Sequence, residues 1–270
     1  MASGENRTVH CKICGTRTKE VFQATMLEKY TVSYYACPAC EYLCTEDPYW
    51  LDEAYQRTIN VVDTGIVDRN MYFSKVISVL LYFFYSRNGT YLDYAGGYGI
   101  FTRMMRDIGF NFYWYDPYCE NLLAPGFEYK KESGRTFDAL TAFEVFEHFV
   151  DPIQEIDRMR QLSSTIVFST ELLPTNVPKP DEWWYYGLDH GQHVSFYSKK
   201  TLRVLAKRLG SNFYSVGGIH IFSKRTLPAP VVTLLLRCSK YGLFGIPKMM
   251  LQSKIWEDHV NAKQHKHLPR

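Results

Sequence analysis

Four cysteines form two tight pairs near the start of the chain. The pairs are Cys11-Lys-Ile-Cys14 and Cys37-Pro-Ala-Cys40, and 22 residues separate them. Two thiolates three positions apart can hold one ion from a knuckle turn, and a second pair completes the tetrahedral sulfur shell that zinc favours. The spacing therefore predicts one structural zinc ion bound by Cys11, Cys14, Cys37 and Cys40. An all-cysteine shell has no open position, so this ion is expected to stabilise a small module.

Alternatives to this ligand set remain open at the level of the sequence. Gly15 follows the first pair and gives the knuckle a permissive backbone, whereas Glu41 stands in the matching place of the second pair. Cys44 lies close enough along the chain to be an alternative ligand. The competing interpretations are disulfides, which a reducing cytoplasm disfavours, and buried free thiols, which the paired spacing disfavours.

A second pattern with chemical meaning is a glycine-rich turn after a short apolar strand. The segment reads Leu92-Asp-Tyr-Ala-Gly-Gly-Tyr-Gly99, and the next apolar strand, at residues 112–115, ends at Asp116. Glycines let the backbone approach a ligand closely, and an acid about 20 residues later can accept hydrogen bonds from two ribose hydroxyls. The pattern predicts a site for a nucleoside-bearing cofactor, and a tight turn without a ligand is the alternative.

Aromatic residues and two histidines gather between an apolar strand at 165–170 and a helix that begins near Ser198. The stretch holds four consecutive aromatic residues at 183–186, followed by His190 and His193. Loops at the carboxyl edge of a parallel sheet lie over its ligand crevice, and imidazole is suited to proton transfer near neutral pH. We expect an aromatic stacking surface with His190 or His193 as general base. The alternative is that the aromatic residues cover the sheet edge and that His193 is a hydrogen-bonded core histidine.

The elements that must position these residues alternate between strand and helix patterns from about residue 51. Apolar residues at helical spacing follow the glycine-rich turn, Gly109 ends that helix, and a strand comes next. Such alternation predicts an α/β fold with a doubly wound, mostly parallel sheet. We expect a zinc-binding ribbon over residues 1–50, a catalytic domain over 51–226 and a basic amphipathic extension over 227–270.

Three segments resemble motifs of the class I S-adenosylmethionine-dependent methyltransferases. Residues 92–99 resemble the family's strand and acid-x-G-x-G motif, with Ala95 in place of the first glycine. Residues 137–152 resemble a later motif that ends E-H-x-x-D-P, and residues 193–202 resemble the family's late histidine, aromatic and serine segment. The resemblance spans approximately residues 60–225. The paired-cysteine module is similar to that of nucleotide-sugar C-methyltransferases, although the long second domain of those enzymes has no counterpart here.

The resemblance implies a Rossmann-like methyltransferase domain that binds S-adenosylmethionine. The cofactor-binding residues that it implies are Asp93, Gly96, Gly97, Gly99, Asp116 and Glu144. The first four would surround the methionine end, Asp116 would hold the ribose, and Glu144 would line the pocket. Glu147 and His148 are expected to begin the next helix, where capping or packing is as reasonable as chemistry. Methyl transfer from an activated sulfonium mainly requires that donor and acceptor be positioned about 3–3.5 Å apart.

Composition and charge narrow the function further. With 270 residues, 46% of them hydrophobic and 22% charged, the chain can bury a sizeable core and is not disordered by composition. The net charge is +3, but residues 224–270 carry +7, which leaves −4 for the rest. A broad basic face is therefore absent outside the tail, and a nucleic-acid partner is not expected. We expect a small-molecule or sugar-containing acceptor.

The sequence also predicts a cellular location and leaves three rival functions open. No apolar run reaches the roughly 18–20 residues of a membrane span, and the first residues lack a signal-peptide pattern, so we expect a cytoplasmic protein. The rivals are an RNA methyltransferase with a zinc module, a nicotinamide-dependent oxidoreductase, and an inactive binding or scaffold protein on the same fold. The oxidoreductase does not explain the E-H-x-x-D-P segment. The basic tail can lie on a membrane, bind nucleic acid or dock on its own domain.

Overall fold

The N-terminal part of the chain folds into a small antiparallel sheet. In the computed structural model, which describes residues 9–56 and 63–265, this sheet begins with β1 (Lys19–Met26), β2 (Tyr30–Ala36) and β3 (Leu43–Thr45). Residues 1–8 of the expected ribbon, residues 57–62 of the expected catalytic domain and residues 266–270 of the expected extension lie outside the described residues.

The remaining strands separate into two groups. They are β4 (Thr90–Tyr94), β5 (Asn111–Tyr115), β6 (Ala139–Phe143), β7 (Thr165–Ser169), β8 (Ser195–Phe196), β9 (Asn212–Val216) and β10 (Ile219–Ser223). Strand β8 joins the N-terminal sheet, and the other six form the central sheet in the order β5-β4-β6-β7-β10-β9. The first four are mutually parallel, whereas β10 is antiparallel to both of its neighbours. The predicted α/β fold with a mostly parallel sheet is confirmed.

Helices cover both faces of the central sheet. They are α1 (Leu51–Ala54), α2 (Ile66–Phe84), α3 (Ile100–Ile108), α4 (Pro152–Leu162), α5 (Lys199–Arg208), α6 (Ala229–Cys238), α7 (Gly245–Met250) and α8 (Ile255–His265). Apolar side chains of α2, α3 and α6 share one core with one face of the sheet, and those of α4 and α5 share another with the opposite face. The sheet is therefore buried on both sides, which explains why its inner strands read as continuous apolar runs.

The N-terminal sheet is tied to the rest of the molecule by β8. Leu43 of β3 pairs with Phe196 of β8 in an antiparallel ladder. A hydrophobic cluster around this ladder combines Met26, Tyr34 and Trp50 with aromatic residues of the loop that precedes β8. The expected boundary at residue 50 is thus crossed by a strand pairing and by a shared core.

The C-terminal extension docks on its own domain. Asp258 of α8 accepts hydrogen bonds from Arg106 of α3 at 2.6 and 2.8 Å and from Arg103 at 2.7 Å. Asp258 and Arg106 are both buried. A buried ion pair is stable only when hydrogen bonds compensate for the loss of hydration, as they do here. Across residues 9–56 and 63–265, none of the helices combines the length and apolar character needed to cross a bilayer.

Candidate functional site

The four paired cysteines converge on one point. The Sγ atoms of Cys11 and Cys40 lie 3.5 Å apart, as do those of Cys14 and Cys37, and all four sulfurs lie within 4.8 Å of one another. Sulfurs bound tetrahedrally to zinc at about 2.3 Å are about 3.8 Å apart. The cluster therefore has the size of a zinc-thiolate shell, and its sulfurs are too far apart for disulfide bonds.

Each pair forms the same backbone knuckle. The amide of Gly15 donates to the carbonyl of Cys11 at 2.9 Å, and the amide of Glu41 donates to that of Cys37 at 3.0 Å. Gly15 and Glu41 both adopt the left-handed conformation, with φ of +74° and +63°. The left-handed conformation is sterically unfavourable for Glu41 because it has a side chain. Its carboxylate, however, accepts a hydrogen bond from the Ser198 hydroxyl at 2.9 Å. The knuckle thus forms without the expected glycine.

Cys44 lies outside this cluster. It is buried on β3, and burial raises the pKa of its thiol to about 12. Its sulfur is not one of the four that lie within 4.8 Å of one another, so the geometry favours the four paired cysteines over the alternative ligand Cys44.

The glycine-rich turn lies at the carboxyl edge of the central sheet, between β4 and α3. Ala95, Gly97 and Gly99 have φ values of +56°, +53° and +83°. A Cβ atom at Gly96 would lie 2.7 Å from Asp93 Oδ2, and one at Gly99 would lie 2.5 Å from the side chain of Asn121. Glycine at 96 and 99 therefore avoids these close contacts, and glycine at 97 and 99 adopts the left-handed backbone without the steric cost that Ala95 has.

Asp93 is buried beneath this turn. Its carboxylate oxygens accept hydrogen bonds from the hydroxyls of Thr102 on α3 at 3.0 Å and Thr141 on β6 at 3.1 Å. Burial raises the pKa of Asp93 to about 7. The side chain thus joins the turn to a helix and a neighbouring strand. The sequence pattern did not single out either threonine, because only the packing of three elements brings them to Asp93.

Asp116 follows β5 and lies beside the turn. Its Oδ2 accepts a hydrogen bond from the amide of Gly97 at 2.9 Å, and its Oδ1 accepts from the amides of Tyr118 at 2.8 Å and Cys119 at 3.0 Å. Each carboxylate oxygen has two lone pairs, so Oδ1 is fully used and Oδ2 retains capacity for one further donor such as a ribose hydroxyl. The structure brings the turn and the late acid together as the sequence predicts.

Glu144 follows β6 at the same edge. It has a φ of +53°, and its carboxylate accepts a hydrogen bond from the Ser169 hydroxyl at 2.5 Å. Burial raises the pKa of Glu144 above its ordinary value. A left-handed non-glycine residue at a strand end costs conformational energy, and such strain is concentrated at functional sites.

The two candidate histidines lie side by side, with ring centroids 4.6 Å apart. Nδ1 of His193 bonds the carbonyl of Tyr185 at 2.7 Å, so that nitrogen carries the proton. Nδ1 of His190 accepts from the amide of Gln192 at 3.2 Å. Burial lowers the pKa of both histidines, which keeps both rings neutral near pH 7. His193 therefore fixes the loop. In the neutral His190 ring the acceptor nitrogen is Nδ1, which accepts from the Gln192 amide, and the proton is on Nε2.

Most of the four consecutive aromatic residues at 183–186 are buried in a hydrophobic core. Trp183, Tyr185 and Tyr186 are buried against the N-terminal sheet, and Trp184 is 78% exposed. The expected open stacking surface is therefore reduced to Trp184. The other three rings follow the alternative interpretation and cover the sheet edge.

The histidine loop is held by the N-terminal part of the chain. The indole of Trp50 donates to the carbonyl of Gly191 at 2.8 Å, and the side-chain amide of Gln192 donates to the carbonyl of Ala54 at 2.9 Å. The amide of Val194 donates to the carbonyl of Glu147 at 2.8 Å. The loop is thus ordered by contacts within the chain itself.

Glu147 and His148 do not begin the next helix, contrary to expectation. They lie in a short 3-10 helix, Phe146–His148, and α4 begins at Pro152 with Asp151 as its N-cap. Glu147 is fully buried, and its ligand atom, with those of His148 and His193, forms a second group within 4.8 Å. The E-H-x-x-D-P segment was the sequence signal for this group, but its spacing alone gave no reason to include His193.

Comparisons with known proteins agree with this architecture. A family model described as a methyltransferase domain matches residues 68–216. CalO1, a methyltransferase in calicheamicin biosynthesis solved in a form bound to SAH, is similar in structure at 13% identity and a TM-score of 0.46. The match covers 66% of this chain and 60% of CalO1, so the chain spans less than two thirds of that protein's length.

Two further solved structures are similar at the same level. Magnesium protoporphyrin IX methyltransferase (ChlM) from Synechocystis PCC 6803 with bound SAH has 13% identity and a TM-score of 0.42, over 65% of this chain and 94% of ChlM. An O-methyltransferase family protein from Burkholderia thailandensis has 14% identity and a TM-score of 0.48, over 66% of this chain and 62% of that protein. Structural similarity at this level does not identify a methyl acceptor for this chain. No curated protein sequence matches the chain.

Proposed function

The chain belongs to this family of methyltransferase domains, and we propose that it transfers a methyl group from S-adenosylmethionine to a small-molecule or sugar-containing acceptor. The family match covers residues 68–216, more than half of the chain, which therefore carries an S-adenosylmethionine-dependent methyltransferase domain. The contact between Asp116 and the Gly97 amide carries the cofactor assignment, because it joins a strand-end acid to a glycine-rich turn.

In this proposal the cofactor lies along the carboxyl edge of the sheet. Asp116 accepts a hydrogen bond from a ribose hydroxyl through Oδ2, and the turn that contains Gly96, Gly97 and Gly99 lies against the methionine end. Asp93 supports that turn from below through its two threonine contacts. Glu144 adds a buried carboxyl at the next strand end, where a positively charged cofactor group would offset the cost of its burial.

The acceptor side is assigned to the loop that leaves β7. A sulfonium donor is already activated, so the protein mainly holds the acceptor in line with the methyl group. An acceptor that loses a proton also needs a base, and His190 is proposed for that role because burial lowers its pKa and keeps the ring neutral. Its unprotonated nitrogen is Nδ1, which would exchange its hydrogen bond from the Gln192 amide for the acceptor's proton. His193 is proposed as the residue that fixes the loop, through its bond to Tyr185.

The type of acceptor is inferred from charge and from one exposed ring. Residues 1–223 carry a net charge of −4, which disfavours a polyanionic acceptor such as RNA. Trp184 is exposed in the same loop as His190, and an exposed indole is suited to stacking on a sugar or planar group. A small neutral or sugar-containing metabolite fits both observations.

The paired cysteines are proposed to bind one structural zinc ion. The four sulfurs form a cluster of the required size, and the amides of Ile13 and Cys40 point at Cys11 Sγ and Cys37 Sγ at 3.4 and 3.5 Å. Such amides stabilise thiolate charge. The ion would hold the N-terminal sheet and, through it, the histidine loop.

Calorimetry on the full chain tests the cofactor assignment. We expect S-adenosylmethionine to bind and NADH not to bind, and the reverse result would overturn the proposal in favour of an oxidoreductase. Methyl-labelled cofactor with a panel of sugar nucleotides and hydroxylated or amine metabolites then tests transfer. His190→Ala should lower turnover roughly 100-fold with little change in cofactor affinity. His259→Ala, an exposed histidine on α8, is the matched control.

A further inference from the structure

Glu147 is a fully buried carboxyl at the carboxyl edge of the sheet. Its side chain has 0% exposure, and neither Oε1 nor Oε2 has a hydrogen-bond partner among the described residues. The hydroxyls of Thr170 and Tyr185 face it but bond each other at 3.2 Å, so at most one of their two protons is left for a carboxyl with four acceptor sites. Burying an unpaired carboxyl is expensive, and buried polar groups in folded proteins are nearly always satisfied. The arrangement therefore suggests a missing partner.

Two imidazoles complete a group of metal-binding side chains around this carboxyl. One ligand atom each from Glu147, His148 and His193 lie within 4.8 Å of one another. The rings of His148 and His193 are 5.0 Å apart and nearly perpendicular, at 87°. Nitrogen and oxygen ligands at about 2.0–2.2 Å from a tetrahedral ion lie about 3.3–3.6 Å apart. A closure of up to about 1.5 Å, within the reach of side-chain rotation, would therefore bring all three into one coordination shell.

The outer hydrogen bonds of both histidines are already made. Nδ1 of His193 donates to the carbonyl of Tyr185 at 2.7 Å, and Nδ1 of His148 bonds the hydroxyl of Tyr55 at 3.0 Å. In His193 this leaves Nε2 as the unprotonated nitrogen available to a ligand, whereas the His148 ring also faces the backbone of Gln192, a contact that an ion would replace. Metal-bound histidines typically make such a hydrogen bond with their other ring nitrogen, because it fixes the tautomer and the orientation of the ring.

We propose that Glu147, His148 and His193 form a second metal site, which binds a divalent transition-metal ion such as Zn²⁺ through two imidazoles and one carboxylate. This ligand set suits borderline ions and differs in chemistry from the all-sulfur cluster of the cysteines. Three protein ligands leave at least one coordination position open, which is the arrangement of catalytic rather than structural zinc sites. The ion would satisfy the orphaned carboxyl. The proposal does not depend on methyl transfer, because it concerns binding of an ion alone.

Cobalt(II) titration of the full chain, with its cysteine site first filled with zinc, tests the proposal. We expect one further equivalent of cobalt to bind and to give weak visible d–d bands without the thiolate-to-cobalt charge-transfer band of a cysteine site. Glu147→Gln has nearly the same shape but no anionic ligand, so it should weaken this binding at least about 10-fold. His259→Ala, which removes an exposed histidine on α8 far from the group in sequence, should leave the binding unchanged.

Two results would overturn the second metal site. One is wild-type protein that binds no cobalt beyond the cysteine site at millimolar concentration. The other is Glu147→Gln protein that binds as tightly as wild type. Far-ultraviolet circular dichroism and the zinc content of the cysteine site report whether the variant is folded, and His193→Asn decides the question if it is not. Calorimetry with S-adenosylmethionine on the same samples keeps the two proposals separate.

Discussion

The cysteine cluster and the carboxyl edge of the central sheet place their polar groups in different ways. Each cysteine knuckle is closed by its own backbone, as in the bond from Gly15 to Cys11, so three consecutive peptide units determine where two sulfurs lie. At the carboxyl edge, defined here as the ends of β4 to β7 and the loops that leave them, Asp93 and Glu147 are positioned by distant parts of the chain. Asp93 meets Thr141, 48 residues away.

This difference predicts which changes act locally and which act at a distance. Knuckle ligands are specified by short spacing, and their loss should remove the ion and the sheet that depends on it. Groups at the carboxyl edge are specified by packing, so their substitution should alter affinity or pH dependence while the fold persists. The experiments below separate these outcomes, beginning with the largest expected effect.

The largest effect is expected from Cys37→Ser combined with Cys40→Ser. The double variant should lose zinc. It should therefore also lose the zinc-binding free energy that supports folding, which is on the order of 10–16 kcal/mol in isolated zinc-finger peptides. Because Cys37 and Cys40 share a hydrophobic core with α4 and α5, the melting temperature of the whole chain should also fall. Metal analysis and calorimetric melting measure both effects, with Cys119→Ser as control. Retention of about one zinc per chain in the double variant would contradict the ligand assignment.

Asp93→Asn should change the pH dependence of stability. Burial raises the pKa of Asp93 from 3.8 to about 7, so the folded state holds a proton that the unfolded state releases. Stability should therefore fall as pH rises from about 4 to 7 and then level off, by on the order of 4 kcal/mol at most. The variant, which does not titrate there, should lack this component. Urea unfolding of cofactor-free protein at several pH values measures it, and identical slopes would contradict the buried-acid interpretation.

Asp116→Ala should weaken cofactor binding without loss of zinc. Removing hydrogen bonds to a charged group costs about 1.5–3 kcal/mol, which corresponds to roughly 10- to 150-fold in affinity. Calorimetric titration with S-adenosylmethionine measures the change, and Glu120→Ala, an exposed acid nearby, is the control. Asp116→Asn distinguishes loss of charge from loss of the bond to the Gly97 amide. Equal affinity of wild type and Asp116→Ala would refute the proposed ribose contact.

The smallest effect is expected from Ser198→Ala, which acts on the junction between the two regions. The Ser198 hydroxyl caps α5 by accepting from the amides of Lys200 and Thr201, and it donates to Glu41 of the second knuckle. Its loss should cost about 1 kcal/mol of folding free energy while zinc content is unchanged. Chemical denaturation measures this cost, with exposed Ser164→Ala as control. A loss of zinc instead would mean that the knuckle depends on its neighbour and is not locally specified.

Much of the fold and part of the candidate site could be predicted from the sequence, because the signals involved are local. Short apolar runs that alternate with helical periodicity predicted the central sheet and its helices. The glycine-rich turn and Asp116 were predicted as one site, since the carboxyl ends of adjacent parallel strands must lie at one edge. Paired cysteine spacing predicted a four-sulfur cluster, and even Glu41 in place of glycine left that prediction intact.

The tertiary structure alone decided the parts that depend on distant segments. Nothing in the spacing of residues 183–196 indicates that three aromatic rings fill the core of the N-terminal sheet or that β8 pairs with β3. The meeting of Glu147 with His193, and of His148 with Tyr55, likewise depends on how a 3-10 helix, a loop and the chain near α1 pack together. Sequence periodicity reports which face of an element is apolar, whereas contacts between elements far apart in the chain are set by the packing of the whole core.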